Sequence, residues 1–472
     1  MAYAAISGWL DFSIRADGNN ENGGAIISAA DETYTRGVDR TLSATPYVAI
    51  GGGSVTAVCT TGGNRSSIIL TNFSVSDDDL GNCVQIVTAP SGVFTGLYLI
   101  SSVDTDANSW GFSKPCRDST GDASALGITT ANMGGAWGAT GPGFYGSKQD
   151  VWFDDGQAFI LWIRAGSYEM TSTSVNVAGG ALQLTGASPI TIQGYTATPG
   201  DAIDGGDRPV IDVASTGFTG KMVDIAATSA CEINDVILDG GGTATHGVYG
   251  KSSAVGDSAK SVSVRDLDTS SGWGFYYPIT AINCDVDGAY GGYGHASCVV
   301  NCVANDCTYG FREANRYVGY GCIAIDCSTG FSNTSTTSTG PYVYCVADGC
   351  GTGFDVNTKT VYRSIATNCT TGYDSTAGSH YSAIVDCVGY GNTTDHNDIA
   401  VEINFTTLAA DPWENRSDND YRLNDSASGG QILRSKGYAY PTQTAATDAN
   451  AFRTAASGSS TVVTLGPVQI GM

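Results

Sequence analysis

Cys302-Val-Ala-Asn-Asp-Cys307-Thr-Tyr-Gly310-Phe311 and Cys322-Ile-Ala-Ile-Asp-Cys327-Ser-Thr-Gly330-Phe331 are two copies of one unit. Cys345-Val-Ala-Asp-Gly-Cys350-Gly-Thr-Gly353-Phe354 is a third, and Ser364-Ile-Ala-Thr-Asn-Cys369-Thr-Thr-Gly372-Tyr373 a fourth. Counted from the first residue of each copy, Ala stands two on, Cys five on, Gly eight on and an aromatic nine on. The pattern decays outward through Cys284 (with Gly292 and Tyr293), Asp266 (with Gly274 and Phe275) and Ser382 (with Cys387). The starting positions 266, 284, 302, 322, 345, 364 and 382 are spaced by 18, 18, 20, 23, 19 and 18 residues. A period near 20 that tolerates insertions means a supersecondary unit stacked on copies of itself. Val, Ile, Thr and Tyr in short runs broken by Gly, Asn, Asp and Ser give strands and turns rather than helix. A leucine-rich repeat would need recurring Leu, which is absent, so the expected fold is all-β, a parallel β-helix. Stacked coils lie about 4.8 Å apart, and like residues then form columns.

Period-two alternation sets the parity of each column. The starting residue and Ala two on, both small, share one side and suit a narrow interior. Val303, Ile323, Val346 and Ile365 occupy the opposite side. A bare β-branched stripe is costly. Its cover is expected to be the neighbouring subunit of a homotrimer, with a loop of the same chain as the alternative.

Nine of the fourteen Cys fall on two repeat positions: Cys284, Cys302, Cys322 and Cys345, then Cys307, Cys327, Cys350, Cys369 and Cys387. Ser364 and Ser382 continue the first column, so the slot asks for a small side chain rather than a bond. Buried free-thiol ladders are expected, although neighbouring coils put disulfides within reach.

Composition bounds the function. Charged residues make up 14% of 472, against about 25% in ordinary globular chains, Gly numbers 63, and the net charge is −24. The charge argues against nucleic acid and anionic membrane surfaces as partners. No apolar run reaches transmembrane length, and the first residues lack the pattern of a signal peptide, so cytoplasmic manufacture is expected. No cofactor or metal motif is present. Along the chain, 1–39 read as an N-terminal strand and turn, 40–116 as a small β-barrel-like subdomain and 117–150 as a connection. The parallel β-helix takes 151–400 and a closing cap 401–472.

Several strings resemble a known family. Trp9 to Arg15 with Asn22-Gly-Gly24, Asp79-Leu-Gly-Asn82, Phe94-Thr-Gly96 with Tyr98 to Val103, and Trp162 to Tyr168 come first. Ile192-Gln-Gly-Tyr195, Arg208-Pro-Val-Ile211, Asp420 to Asn424 and Leu465-Gly-Pro-Val-Gln469 follow. Together they are similar to right-handed parallel β-helix proteins of tailed-phage virions, within the pectate-lyase-like fold family. The resemblance implies the fold and carries no catalytic residue.

Such folds also host glycosidases and lyases, which need paired carboxylates or a carboxylate cation site with a basic residue. Asp285 and Asp287 on one strand, with Asp266 and Asp268 one coil earlier, could form a four-carboxylate patch near Arg265, Arg312 and Glu313. In a chain with 46 acidic residues such clusters also arise by chance. A column of Asp306, Asp326, Asn368 and Asp386 reads as a turn marker. His246, His295, His380 and His396 form no pattern, and Phe311, Phe331, Phe354 and Tyr373 read as a stacking column. The function expected is therefore a non-enzymatic structural virion protein. It would be a head decoration, collar or spike component that contacts capsid, neck or tail proteins. The alternative is a tailspike-type polysaccharide depolymerase, hydrolase or lyase, that binds host surface glycans.

Overall fold

The structure is a computed structural model. It describes residues 10–14, 25–27, 48–59, 66–70, 75, 79, 83–88, 96–112, 126–133, 159–169, 180–184, 190–196, 203, 207–213, 218–225, 230–250, 256–313, 318–333, 340–357, 359–375, 382–418, 420–436 and 438. Each coil of the repeat contributes three strand segments, as in Val318–Tyr320, Ile323–Ile325 and Thr329–Asn333. The first segments pair in parallel from coil to coil into one 13-stranded sheet. The second and third segments join into a 19-stranded sheet that wraps the other two faces. The result is a parallel β-helix with three faces.

Register explains the repeat. On the second face Ser263, Asp285, Val303, Ile323, Val346, Ile365, Val388 and Thr406 are successive partners. Cys302, Cys322, Cys345 and Ala304, Ala324, Ala347 point inward and are buried in the central core. On the third face Phe275, Tyr293, Phe311, Phe331, Phe354 and Tyr373 form an inner column. Neighbouring rings stack at 4.6 to 5.1 Å, within 7° of parallel. The Gly before each ring is required by close approach rather than by a left-handed backbone. A Cβ on Gly330 would lie 2.7 Å from the Gly353 carbonyl oxygen, and one on Gly310 2.6 Å from that of Gly330. The left-handed backbone sits at the corners instead. Asn283, Asn301, Tyr344, Arg363 and Asp386 mark the corner before the second face, and Asp266, Asp306, Asp326 and Asn368 the corner after it, all with φ between 46° and 54°. Asp and Asn tolerate this conformation best.

Two starting positions are corrected by this register. Counting back from Phe275 reaches Asp266, but the second-face partner of Asp285 is Ser263, so the column runs through Val262. Four extra residues at that corner cause the shift, since Ser263 to Phe275 spans 12 residues where Asp285 to Tyr293 spans 8. Likewise Val388 partners Ile365, which puts Cys387, not Ser382, after Ser364 and puts Asp386 at the other corner from Asp306. Eleven of the described Cys, from Cys231 to Cys387, are free thiols. The ladder thiols are buried, and burial raises those of Cys302 and Cys322 and lifts Cys387 to about 12. Their sulfurs sit 3.3 to 3.6 Å from backbone carbonyls such as those of Val300, Tyr320 and Val385.

The domain boundaries also move. Leu10–Ile14 pairs in parallel with Phe159–Arg164, so the N-terminal strand belongs to the first face of the helix. A closed six-stranded barrel lies between them in sequence and takes in Leu126–Met133, which the expected 40–116 boundary left in the connection. At the other end the chain folds back on itself. Val303, Ile323, Val346, Ile365 and Val388 are buried against Leu408, Trp413, Tyr421, Leu433 and Tyr438. The cover of the stripe is therefore this chain's own C-terminal segment, and the stripe is not a free subunit interface. Each side chain buried there contributes about 1.5–3 kcal/mol. Asp348 pins the segment: it accepts from Arg416 Nε at 2.6 Å, Tyr421 Oη at 2.8 Å and Thr367 Oγ1 at 2.6 Å.

Candidate functional site on the third face

The four-carboxylate patch does not assemble. Asp285 and Asp287 share a strand, but their partners one coil earlier are Ser263 and Arg265, while Asp266 lies at the corner. Asp285 accepts from Ser263 Oγ at 2.7 Å and Asp287 from Asn305 Nδ2 at 2.7 Å. Arg265 is held by Asp239 at 2.8 Å. Asp268 is used by its own turn, where it accepts from the Ser270 and Ser271 hydroxyls at 2.7 Å, and these bonds lower its pKa. Burial raises the carboxyl of Asp287. Among the described residues no three His, Cys, Asp or Glu are placed to hold a metal ion.

The outer side of the third face is built differently. Two outward columns run along it. One passes through Lys221, His246, Trp273, Gly291, Tyr309 and Thr329; the other through Asp224, Tyr249, Tyr276, Gly294 and Arg312. The two glycines matter here. A Cβ on Gly291 would fall 2.3 Å from the Trp273 ring, and one on Gly294 2.5 Å from it. The indole thus spreads over the two glycine positions of the next coil and meets the coil after it, where Arg312 lies 5.9 Å from its centroid and 4.4 Å from that of Tyr309. Tyr290 packs edge-on against both Trp273, at 5.7 Å, and Tyr309, at 5.4 Å. Tyr276 contacts Tyr249, Tyr277 and His295 within 5.7 Å. Trp273 is buried beneath; the Tyr, His and Arg side chains around it stay half-exposed.

Electrostatics there favour neutral ring groups. Burial, helped by Lys221, pushes His246 down to about 4, and burial with Arg312 lowers His295. Burial and the Tyr277 hydroxyl lift Tyr249 to about 12. Lys221 rests 3.3 Å over the Tyr249 ring and 3.2 Å from Asp224, whose carboxyl burial raises. At neutral pH the surface presents a neutral imidazole, protonated phenols and aromatic faces.

Further along the same outer side the aromatics give way to Thr329, Thr352, Thr371 and Thr394, flanked by Asp355 and Asp374. Asp355 and Asp374 are register partners on adjacent coils, and adjacent coils stack about 4.8 Å apart. Burial, with Asp374 next, pushes Asp355 up to about 6. Its Oδ1 is buried without a hydrogen bond, while Asp374 accepts from Asn397 Nδ2 at 2.9 Å. A carboxyl raised toward neutral pH beside a second carboxyl that accepts a hydrogen bond from Asn397 is the arrangement of a general acid and its partner base or nucleophile.

Sequence reasoning placed Phe311, Phe331, Phe354 and Tyr373 as a stack, and missed the outer surface. Its residues recur at no single offset, because Gly replaces a side chain in one coil and lets Trp273 span it. Two of the four His, His246 and His295, belong there. His396 instead faces Glu402 at 3.2 Å in the last coil, and His380 lies outside the described residues. The Glu313 side chain is likewise outside them.

No family model matches the chain, and no curated protein matches it in sequence. Among solved structures it is similar to the A-module of the Azotobacter vinelandii mannuronan C-5 epimerase AlgE4, with 12% identity over 52% of this chain and 86% of that one and a TM-score of 0.29. It is also similar to the catalytic unit of the GH87 α-1,3-glucanase from Streptomyces thermodiastaticus strain HF3-3, with 11% identity over 76% of this chain and 88% of that one and a TM-score of 0.30.

Proposed function

We propose that this chain is a polysaccharide-binding β-helix that cleaves its glycan, with the outer side of the third face as its binding surface. One observation carries the reading: half-exposed Tyr, His and Arg side chains run over successive coils around a buried Trp273, and lead along the same outer side to the Asp355–Asp374 pair. Tyr and His bring apolar faces with polar edges, which suit sugar rings. In this reading Asp355 donates the proton to the leaving oxygen, and Asp374 acts as nucleophile. A spacing near one coil fits the roughly 5–5.5 Å of retaining hydrolysis. Following the sequence resemblance, the setting we propose is a tailed-phage virion, and the glycan a host surface polysaccharide. A purely structural place in the head or collar is the competing reading. A homotrimer would need a contact other than the Val303–Ile365 stripe.

The test is release of reducing ends from a panel of bacterial surface polysaccharides, read beside binding by affinity electrophoresis. Asp355→Asn and Asp374→Asn should cut release at least a hundredfold and leave retention in the gel unchanged. Retention by a glycan that wild type never shortens would remove the hydrolytic step and keep binding. No retention by any glycan would remove the whole reading.

A further inference from the structure

We infer that the glycan bound on the third face is anionic, and that Arg312 receives its carboxylate or sulfate; this rests on the polysaccharide reading above. Several of the described arginines are paired with carboxylates. Arg265 is paired with Asp239 at 2.8 Å, Arg416 with Asp348 at 2.6 Å and Arg363 with Asp386 at 3.6 Å. Arg312 has no carboxylate partner among the described residues; its guanidinium is held by the rings of Tyr309 and Trp273 instead. A guanidinium held against ring faces keeps its in-plane N–H groups available, and these match an oxyanion bidentately.

The surroundings keep that edge open. The position in register one coil before Arg312 is Gly294, and the one one coil after is the small Ser332. His295, whose backbone N–H bonds the Arg312 carbonyl at 3.2 Å, is held toward its neutral form by burial and by Arg312, so it adds no competing positive charge. The residues that position Arg312 are the ones proposed to carry sugar rings, so ring contact and charge contact fall on neighbouring coils. The net charge of −24 does not forbid this. At physiological ionic strength charges beyond about 8 Å are largely screened, and a direct bidentate contact is screened much less.

The experiment compares carboxylated and sulfated polysaccharides, their carboxyl-reduced or desulfated forms, and neutral polysaccharides by affinity electrophoresis of the full chain. Wild type should be retained by an acidic polysaccharide and released when its acidic groups are removed. Arg312→Gln should weaken retention about ten- to hundredfold, as expected for a lost charged hydrogen bond. Arg312→Lys should recover part of it, and Lys260→Gln, which removes an exposed cation on the first face, should leave it unchanged. Circular dichroism and melting curves should match wild type for all three. Retention by neutral glycans that is indifferent to Arg312→Gln would overturn the anionic assignment and leave the polysaccharide reading standing. If no glycan of either kind is retained, both fall together.

Discussion

At the scale of single residues, the repeat is an account of space and backbone angle. The Gly column exists because each Cα passes the carbonyl of the next coil, so Gly330→Ala forces a Cβ to within 2.7 Å of the Gly353 oxygen. Overpacking of this kind costs about 1–3 kcal/mol, and a drop in the urea midpoint should show it. The corner Asp and Asn residues answer a different demand, the left-handed backbone. Asp355 shows the cost of a poised carboxyl. Its pKa is raised in the folded chain from 3.8 to about 6, so the folded state binds its proton more tightly than the unfolded one. The stabilisation from Asp355 is complete below pH 4 and is lost as pH rises through 6. Asp355→Asn should therefore gain about 1–2 kcal/mol of stability over wild type at pH 7, and little at pH 3.5, while losing glycan cleavage. Equal stabilities at both pH values would show that the carboxyl is not strained. The thiols of Cys302, Cys322 and Cys387 are inert for a related reason: desolvation disfavours the thiolate. Native protein should react with a thiol reagent at Cys298 well before any ladder Cys, and denatured protein at all of them.

At the scale of elements, the alternation that put Cys and Ala inside and Val303, Ile323, Val346 and Ile365 outside was legible, because strand parity is fixed by period two. What covers the stripe was not legible. The covering residues Leu408, Trp413, Tyr421, Leu433 and Tyr438 follow no repeat, and the Asp348–Arg416 bond joins residues 68 apart. Ile323→Asp with Val346→Asp should release this segment rather than separate subunits. Limited proteolysis should cut first within residues 408–438, and light scattering should give an unchanged mass. A fall in mass with the segment still protected would restore the stripe as an interface. The slipped registers at Asp266 and Ser382 share one cause. Insertions at corners change the count between strands without changing the strands, so a fixed offset fails where a corner lengthens.

At the scale of the whole molecule, the second and third faces have different fates. The second face buries its outer side under the C-terminal segment, and the third leaves aromatic and carboxylate side chains half-exposed along the axis of the stack. The interior could be read from the sequence because stacking makes it repeat. The outer surface could not, since function asks for difference between coils: Trp273, then Gly291, then Tyr309 on one column. A long polymer suits such a surface, because each coil adds one more place for contact. The measurement that bears most directly on this account is the affinity of the full chain for acidic bacterial polysaccharides with the third face altered. Tyr276→Ala with Tyr309→Ala should weaken binding at least tenfold while β-sheet circular dichroism and melting temperature stay near wild type. Undiminished binding by that folded double variant would contradict the account and place the glycan, if any, on another face.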